Sequence, residues 1–325
     1  MRMLLIGGAF AAAYSVAACA QAQAQSYPSR PIRIVIGFSA GSNSDSLARP
    51  MARRLAENVG QQIIIDNRPG ASGNIAMEHV AKSPPDGYTV FSGPGSSITT
   101  NPHMQERMPI DVLRDLVPVA PMGQFSAVLV VHPSMPVKTV GELIALARRK
   151  PGVINFGSPG HGTGFHLAGE LFKVRAGITA THIPYAAISP MLADLIGGRV
   201  DMMFFSVIVM APHVKSGKLR ALATTGRTRA EVMPDIPTIA EAGVPDYEYS
   251  GFHGIFAPAA TPRDIVERLN NMIGKVLALP DVRDFYATQN VEILLMSQAE
   301  FAAKVRADHD KWGKIIREAG LKTAN

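Results

Sequence analysis

The sequence predicts an α/β chain folded as two lobes with a ligand cleft between them. Three observations carry the prediction. A short apolar run, a Gly/Ser-rich loop and a helix-like pattern follow one another four times, twice in each half. Strand-like runs at 117–131 and 250–258 stand where such a chain would cross to a second lobe and return. At 325 residues and 47% hydrophobic content there is material for one or two domains.

The first unit is a strand at 32–37, a loop at 38–45 and a helix whose Leu47, Met51, Leu55 and Val59 recur every four residues on one face. Ser44 or Asp45 is placed to cap that helix, and Gly60 to end it. Pro50 lacks the N–H that an inner turn needs, which predicts a kink or a shortened helix. Residues 62–66 read as a buried strand, and Ser83-Pro-Pro-Asp-Gly87 as a connection that no helix interior would hold. The second unit runs from a strand at 89–92 into the loop 93–97.

After the crossing, which ends at His132-Pro133, Thr139 opens a helix bearing Val140, Leu143, Ile144 and Ala147. The third unit joins a strand at 153–156 to the loop 157–163, and the fourth joins 181–185 through 186–190 to Met191, Leu192, Leu195 and Ile196. Strands at 200–205 and 219–225 complete this half. The return strand leads to a helix with Ile265, Leu269, Met272, Ile273 and Val276, and a last helix at 298–319 surrounds Trp312. Lobe 1 is therefore expected at 25–124 with 250–325, and lobe 2 at 125–249.

Each loop aims a helix N-terminus from a strand end. Its first amides have no acceptor within the helix and carry part of the helix dipole, so together they favour a carboxylate or a phosphate. Tyr185, Phe205 and Phe252 lie beside these loops and either line a pocket or fill a core. Arg68 either binds an anion or braces its own loop, and Asp45 reads first as a helix cap.

Other chemistries find little support. Ser96 and Ser158 sit in glycine-rich turns, but neither forms G-x-S-x-G, so an exported esterase is a remote alternative and no catalytic residue is expected. His161 and His166 are five positions apart, off a common helical face, and no metal site or cofactor is expected. Gly160-His-Gly162-Thr-Gly164-Phe165 has Phe165 where a dinucleotide fingerprint has its third glycine. The net charge of +6 is scattered, which gives no case for nucleic acid.

Met1-Arg2, the apolar stretch 4–16 and Ala22-Gln-Ala24 read as a secretory signal peptide at 1–24. Val16-Ala-Ala-Cys19 competes with it as a lipoprotein signal, in which Cys19 would carry the lipid. Either way the mature chain is expected outside the cytoplasm. Cys19 is the only cysteine, so no disulfide is expected.

The residues also resemble a family over essentially the whole mature chain. Tyr27-Pro-Ser-Arg-Pro-Ile, Asp66-Asn-Arg-Pro-Gly-Ala-Ser-Gly-Asn-Ile75, Lys82-Ser-Pro-Pro-Asp-Gly-Tyr88, His166-Leu-Ala-Gly-Glu-Leu-Phe172 and Ala211-Pro-His-Val-Lys-Ser-Gly resemble the Bug family. Its members are substrate-binding receptors of tripartite tricarboxylate transporters. The resemblance implies a two-lobed periplasmic binding protein fold (type II-like), no enzymatic activity and no cofactor. It implies capture of a small carboxylate and delivery to membrane subunits, by a chain read as a monomer; a ligand sensor for a membrane kinase is the alternative. It also implies that Phe38, Gly41, Ser42, Asn43 and Asp45, with Ser96 and Ser97, and with His161, Gly162 and Thr163, meet the ligand. Where family members often carry Pro-Tyr-Lys-Gly and an Asp, this chain has Pro184-Tyr-Ala-Ala187 and Phe205. With Tyr185, Phe205 and Phe252 added to the site, an aromatic mono- or dicarboxylate is expected, against an aliphatic dicarboxylate if Phe205 is core.

Overall fold

The computed structural model describes residues 27–105, 107–318 and 320. The leader and Cys19 lie outside the described residues. The strands, in chain order, are β1 (Ile32–Ile36), β2 (Ile63–Asn67), β3 (Thr89–Pro94), β4 (Leu116–Phe125), β5 (Ala127–Val131), β6 (Asn155–Ser158), β7 (Thr181–Pro184), β8 (Met202–Ser206), β9 (Arg220–Thr224) and β10 (Gly251–Pro258). The helices are α1 (Asn43–Val59), α2 (Asn74–Ala81), α3 (Gly95–Thr99), α4 (Asn101–Met104), α5 (Val112–Asp115), α6 (Val140–Arg149), α7 (Gly164–Ala176), α8 (Ile188–Ile196), α9 (Val207–Lys215), α10 (Arg263–Leu277), α11 (Pro280–Thr288) and α12 (Gln298–Glu318).

Two five-stranded sheets result, ordered β2-β1-β3-β10-β4 and β7-β6-β8-β5-β9. In the first, β1 is parallel to β2 and β3, while β10 is antiparallel to β3 and β4. In the second, β6 is parallel to β7 and β8, while β5 is antiparallel to β8 and β9. The reversed strand of each sheet is the one arriving from the other lobe. β4 ends at the same edge as β1 and β3, so β5 enters the second sheet from that edge; β9 and β10 repeat the geometry in the opposite sense. All four Gly/Ser-rich loops therefore leave carboxyl ends of strands on the side where the lobes are joined. In open α/β sheets that is where ligands bind.

Each sheet is buried on both faces. Ile34 and Ile36 of β1 face α1 and α10 through Leu47, Met51, Leu269 and Ile273, whereas Val35 faces Met77, Phe91 and Phe301 on the other side. Sheet two packs Leu129 and Phe204 against α6 and α7, and Val128 and Met203 against α8 and α9. Helix α12 serves both lobes: Phe301 and Val305 sit in a core of the first, and Trp312 and Ile316 in a core of the second. Among the described residues no helix is long and apolar enough to cross a membrane.

Three local expectations need correction. β2 is half-buried along its whole length, because it is the edge strand of its sheet. Helix α1 runs unbroken through Pro50, so the proline does not shorten it. Helix α11, with its Pro280 in the first turn, has no counterpart in the sequence reading.

Gly37, at the end of β1, is packed against backbone: a Cβ there would lie 2.5 Å from the Gly73 Cα. Gly37→Ala is expected to force the loop before α2 away and cost about 1–3 kcal/mol, read as a lowered melting temperature. An unchanged melting temperature would mean that the two segments separate freely.

Candidate functional site

The first loop is held by a buried carboxylate. Asp45 is 2% exposed, and its oxygens accept from the Gly41 amide at 2.9 Å, Asn67 Nδ2 at 3.0 Å and Arg49 Nε at 2.8 Å. Asn67 Nδ2 also donates to the Phe38 carbonyl at 3.0 Å. Burial raises the Asp45 carboxyl, but the hydrogen bonds from Arg49, Gly41 and Asn67 outweigh it and hold the group below its ordinary range. The helix cap is neither Ser44 nor Asp45 but Ser42, whose Oγ accepts from the Asp45 amide at 3.3 Å. Asp45 is thus a brace for the loop: its oxygens are occupied, and its charge would repel an acid. Arg68 is a brace as well, with Nε 3.0 Å from Asp66. Gly41 and Asn43 are exposed, and Phe38 and Ser42 are half-buried.

The second loop differs from its expected form. β3 continues to Pro94, and α3 is only five residues long, which leaves a weak dipole behind its N-terminus. Ser97 is buried and donates to the Ser72 carbonyl at 3.0 Å, as does Asn101 Nδ2 at 3.2 Å; Ser96 is half-buried. Sequence reasoning passed over this partner segment. Ala71 and Ser72 both adopt left-handed φ, of 46° and 55°, between Gly70 and Gly73. The glycine spacing was the available signal.

The third loop is capped by Thr163, which accepts from the His166 amide at 3.4 Å and donates to the Gly160 carbonyl at 2.8 Å. The buried Gly162 lies against lobe 1: a Cβ there would be 3.2 Å from Asn101 Oδ1. His161 beside it is exposed. The fourth loop opens on α8, whose N-cap Ala187 offers no side-chain acceptor. Tyr185 is half-buried and donates to Asp194 at 2.8 Å; burial and the adjacent carboxylate push its hydroxyl up to about 12.

Two aromatic expectations change. Phe205 is 3% exposed and packs with Met191, Met203 and Met210 under a ring contact of 4.6 Å to Phe165. Phe252 is equally buried, edge-on to Phe301 at 5.7 Å, on the face of β10 opposite His253. Both fill cores, for the simple reason that their sheets are covered on both faces. Half-buried Phe125 and Phe165 stand nearer the seam, with ring centroids 6.3 Å apart. Phe125 ends the crossing strand β4, and Phe165 begins α7.

A continuous path of contacts follows. Ser44 Oγ in the first turn of α1 is 3.3 Å from His253 Nε2, the His253 ring is 5.5 Å from Phe125, and Phe125 reaches Phe165 in the first turn of α7. The N-termini of two long helices, one from each lobe, are thereby linked across an aromatic floor. His253 is fully buried, which lowers it to about 4, so it stays neutral when folded. Its folded value is the depressed one. Its contribution to stability is therefore complete above about pH 6.5 and is lost as the pH falls toward 4. Melting temperature is expected to fall across that window, and less steeply in His253→Gln; equal slopes in both proteins would refute this assignment.

Among the described residues the Ser158–His182 pair is not arranged as a nucleophilic relay. Ser158 Oγ lies 2.7 Å from His182 Nε2, but Ser158 is fully buried and His182 Nδ1 has no partner to orient it.

Residues 47–321 match the family model described as the tripartite tricarboxylate transporter family receptor. The chain is 33% identical over 322 residues to Protein BugT of Bordetella pertussis, covering 99% of this chain and 98% of that one. Among solved structures it is similar to Rpa4515 of R. palustris with adipate, at 36% identity and a TM-score of 0.81, covering 91% of this chain and 99% of that one. It is also similar to MatC of Rhodopseudomonas palustris with bound malate, at 26% identity and a TM-score of 0.77, covering 89% and 100%.

Proposed function

Because the chain belongs to the family of tripartite tricarboxylate transporter receptors, a family of binding proteins and not of enzymes, we propose that it captures a small carboxylic acid between its two lobes. The observation that carries this reading is the path from Ser44 through His253, Phe125 and Phe165. It brings the amide-rich starts of α1 and α7 to one floor, where a carboxylate meets free N–H groups and an apolar body meets aromatic rings. The brace at Asp45 keeps the first loop in shape before the solute arrives, which lowers the ordering cost of binding.

The neighbours with adipate and with malate support an acid of that size. Phe205 no longer argues for an aromatic solute, so the choice between aliphatic and aromatic acids falls to Phe125 and Phe165. Export to the periplasm and delivery of the acid to membrane subunits complete the proposal; the family description and the signal-like start support them.

Thermal unfolding against adipate, malate, benzoate and phthalate tests the reading. Binding to the folded state alone stabilises by about 2.7 kcal/mol at a concentration 100 times the dissociation constant. A shift with at least one acid is expected, and no shift with any of them would overturn the choice of solute class.

A further inference from the structure

Behind the third loop three histidines converge. His161 comes from the loop, His166 from the first turn of α7 and His182 from β7, and one ring nitrogen of each lies within 4.8 Å of the others. The ring centroids of His166 and His182 are 4.0 Å apart, and His161 stands edge-on to both, at 5.4 and 4.8 Å. The sequence spacing of His161 and His166 gave no hint of this, because the third member arrives from the neighbouring strand.

The hydrogen bonds around the cluster leave one buried ring nitrogen without a partner and hold a second through a single backbone amide, which a metal would displace. Ser158 Oγ is 3.1 Å from the Gly160 carbonyl, to which it can only donate, and 2.7 Å from His182 Nε2; we assign the proton of that second contact to Nε2. That puts the bare lone pair on His182 Nδ1, a buried atom without a partner. His166 Nε2 faces the buried Glu170 carboxylate at 3.6 Å, which places its proton there and leaves Nδ1 as the acceptor, met only by the Gly162 amide at 3.2 Å. Lys173 fixes Glu170 from the other side at 2.7 and 2.9 Å. A carboxylate on the outer nitrogen of an imidazole is the arrangement that orients histidine for a metal.

We propose that His161, His166 and His182 form a binding site for one divalent transition-metal ion of the zinc class. Imidazole nitrogens suit such ions, and three protein ligands leave a fourth position open. Tetrahedral bonds of about 2.0–2.1 Å put ligand nitrogens about 3.3 Å apart, so the cluster must close modestly. His161 provides that movement, since it is exposed and lies between Gly160 and Gly162, both at positive φ. The site is independent of which acid the cleft takes.

The test uses mature protein purified without a histidine tag, titrated with zinc alone in a calorimeter, with bound zinc counted after dialysis. One zinc per chain is expected. His161→Ala, an exposed change that leaves the fold intact, is expected to weaken binding at least about tenfold, and His182→Gln to do the same. His103→Ala is the control, because His103 and His309 form a separate pair with rings 4.1 Å apart; zinc binding is expected to survive it. Absence of zinc binding, indifference to His161→Ala, or loss in His103→Ala alone would each overturn the proposal.

Discussion

Asp45→Ala is expected to loosen the first loop, lowering both stability and solute affinity. The carboxylate is the shared acceptor of the Gly41 amide, Asn67 Nδ2 and Arg49 Nε. Arg49 is half exposed and regains water when the partner is lost, so the penalty comes mainly from the two neutral donors. Gly41 is exposed and Asn67 half-buried, and Asn67 keeps its bond to the Phe38 carbonyl, so water makes good part of the loss and the cost is expected at about 1 kcal/mol. The affinity effect comes from shape, since Gly41 and the capping Ser42 are no longer tied to the start of α1. At least about a tenfold loss for the acid is expected, which corresponds to 1.4 kcal/mol of lost organisation. Calorimetry and melting of the same sample separate the two effects. Affinity that survives while stability falls would show that the loop needs no brace, and affinity that rises would mean that the Asp45 charge opposes the solute directly.

Phe205→Asp is expected to damage the protein more severely. At 3% exposure, packed among Met191, Met203 and Met210 and against the Phe165 ring, the new carboxylate would be buried among apolar side chains. Changes of that kind cost about 4 kcal/mol or more, enough to unfold lobe 2 in a marginally stable protein. Circular dichroism and melting read the loss. Phe205→Leu keeps the site apolar; it is expected to cost only about 1–2 kcal/mol and to leave the order of preference among acids unchanged. If Phe205→Asp folds normally and reverses the preference between aliphatic and aromatic acids, Phe205 belongs to the solute pocket after all. Phe165→Leu is the better probe of the pocket, because that ring is half-buried beside the third loop.

Much of the architecture was legible because it rests on short-range rules. The spacing of Leu47, Met51 and Leu55 marks the buried face of α1, and Thr139 caps the helix it precedes. Residues 117–131 read as one run but form two strands in two sheets, divided at Ser126. What periodicity does not carry is pairing at a distance. Asn67 reaches Asp45, Ser97 reaches Ser72, and His182 reaches His166 across separations in sequence that no local pattern specifies. The same limit explains Phe205 and Phe252: a strand residue next to a glycine-rich loop looks like a pocket residue until the helices covering its face are in place.

The most direct test of the cleft is a crystal structure with whichever acid gives the largest melting shift. A carboxylate oxygen is expected within about 2.7–3.2 Å of backbone amides at the start of α1 or α7, with the acid's body against Phe125 and Phe165. An acid bound outside the seam between the two sheets, with those amides left to water, would contradict the account.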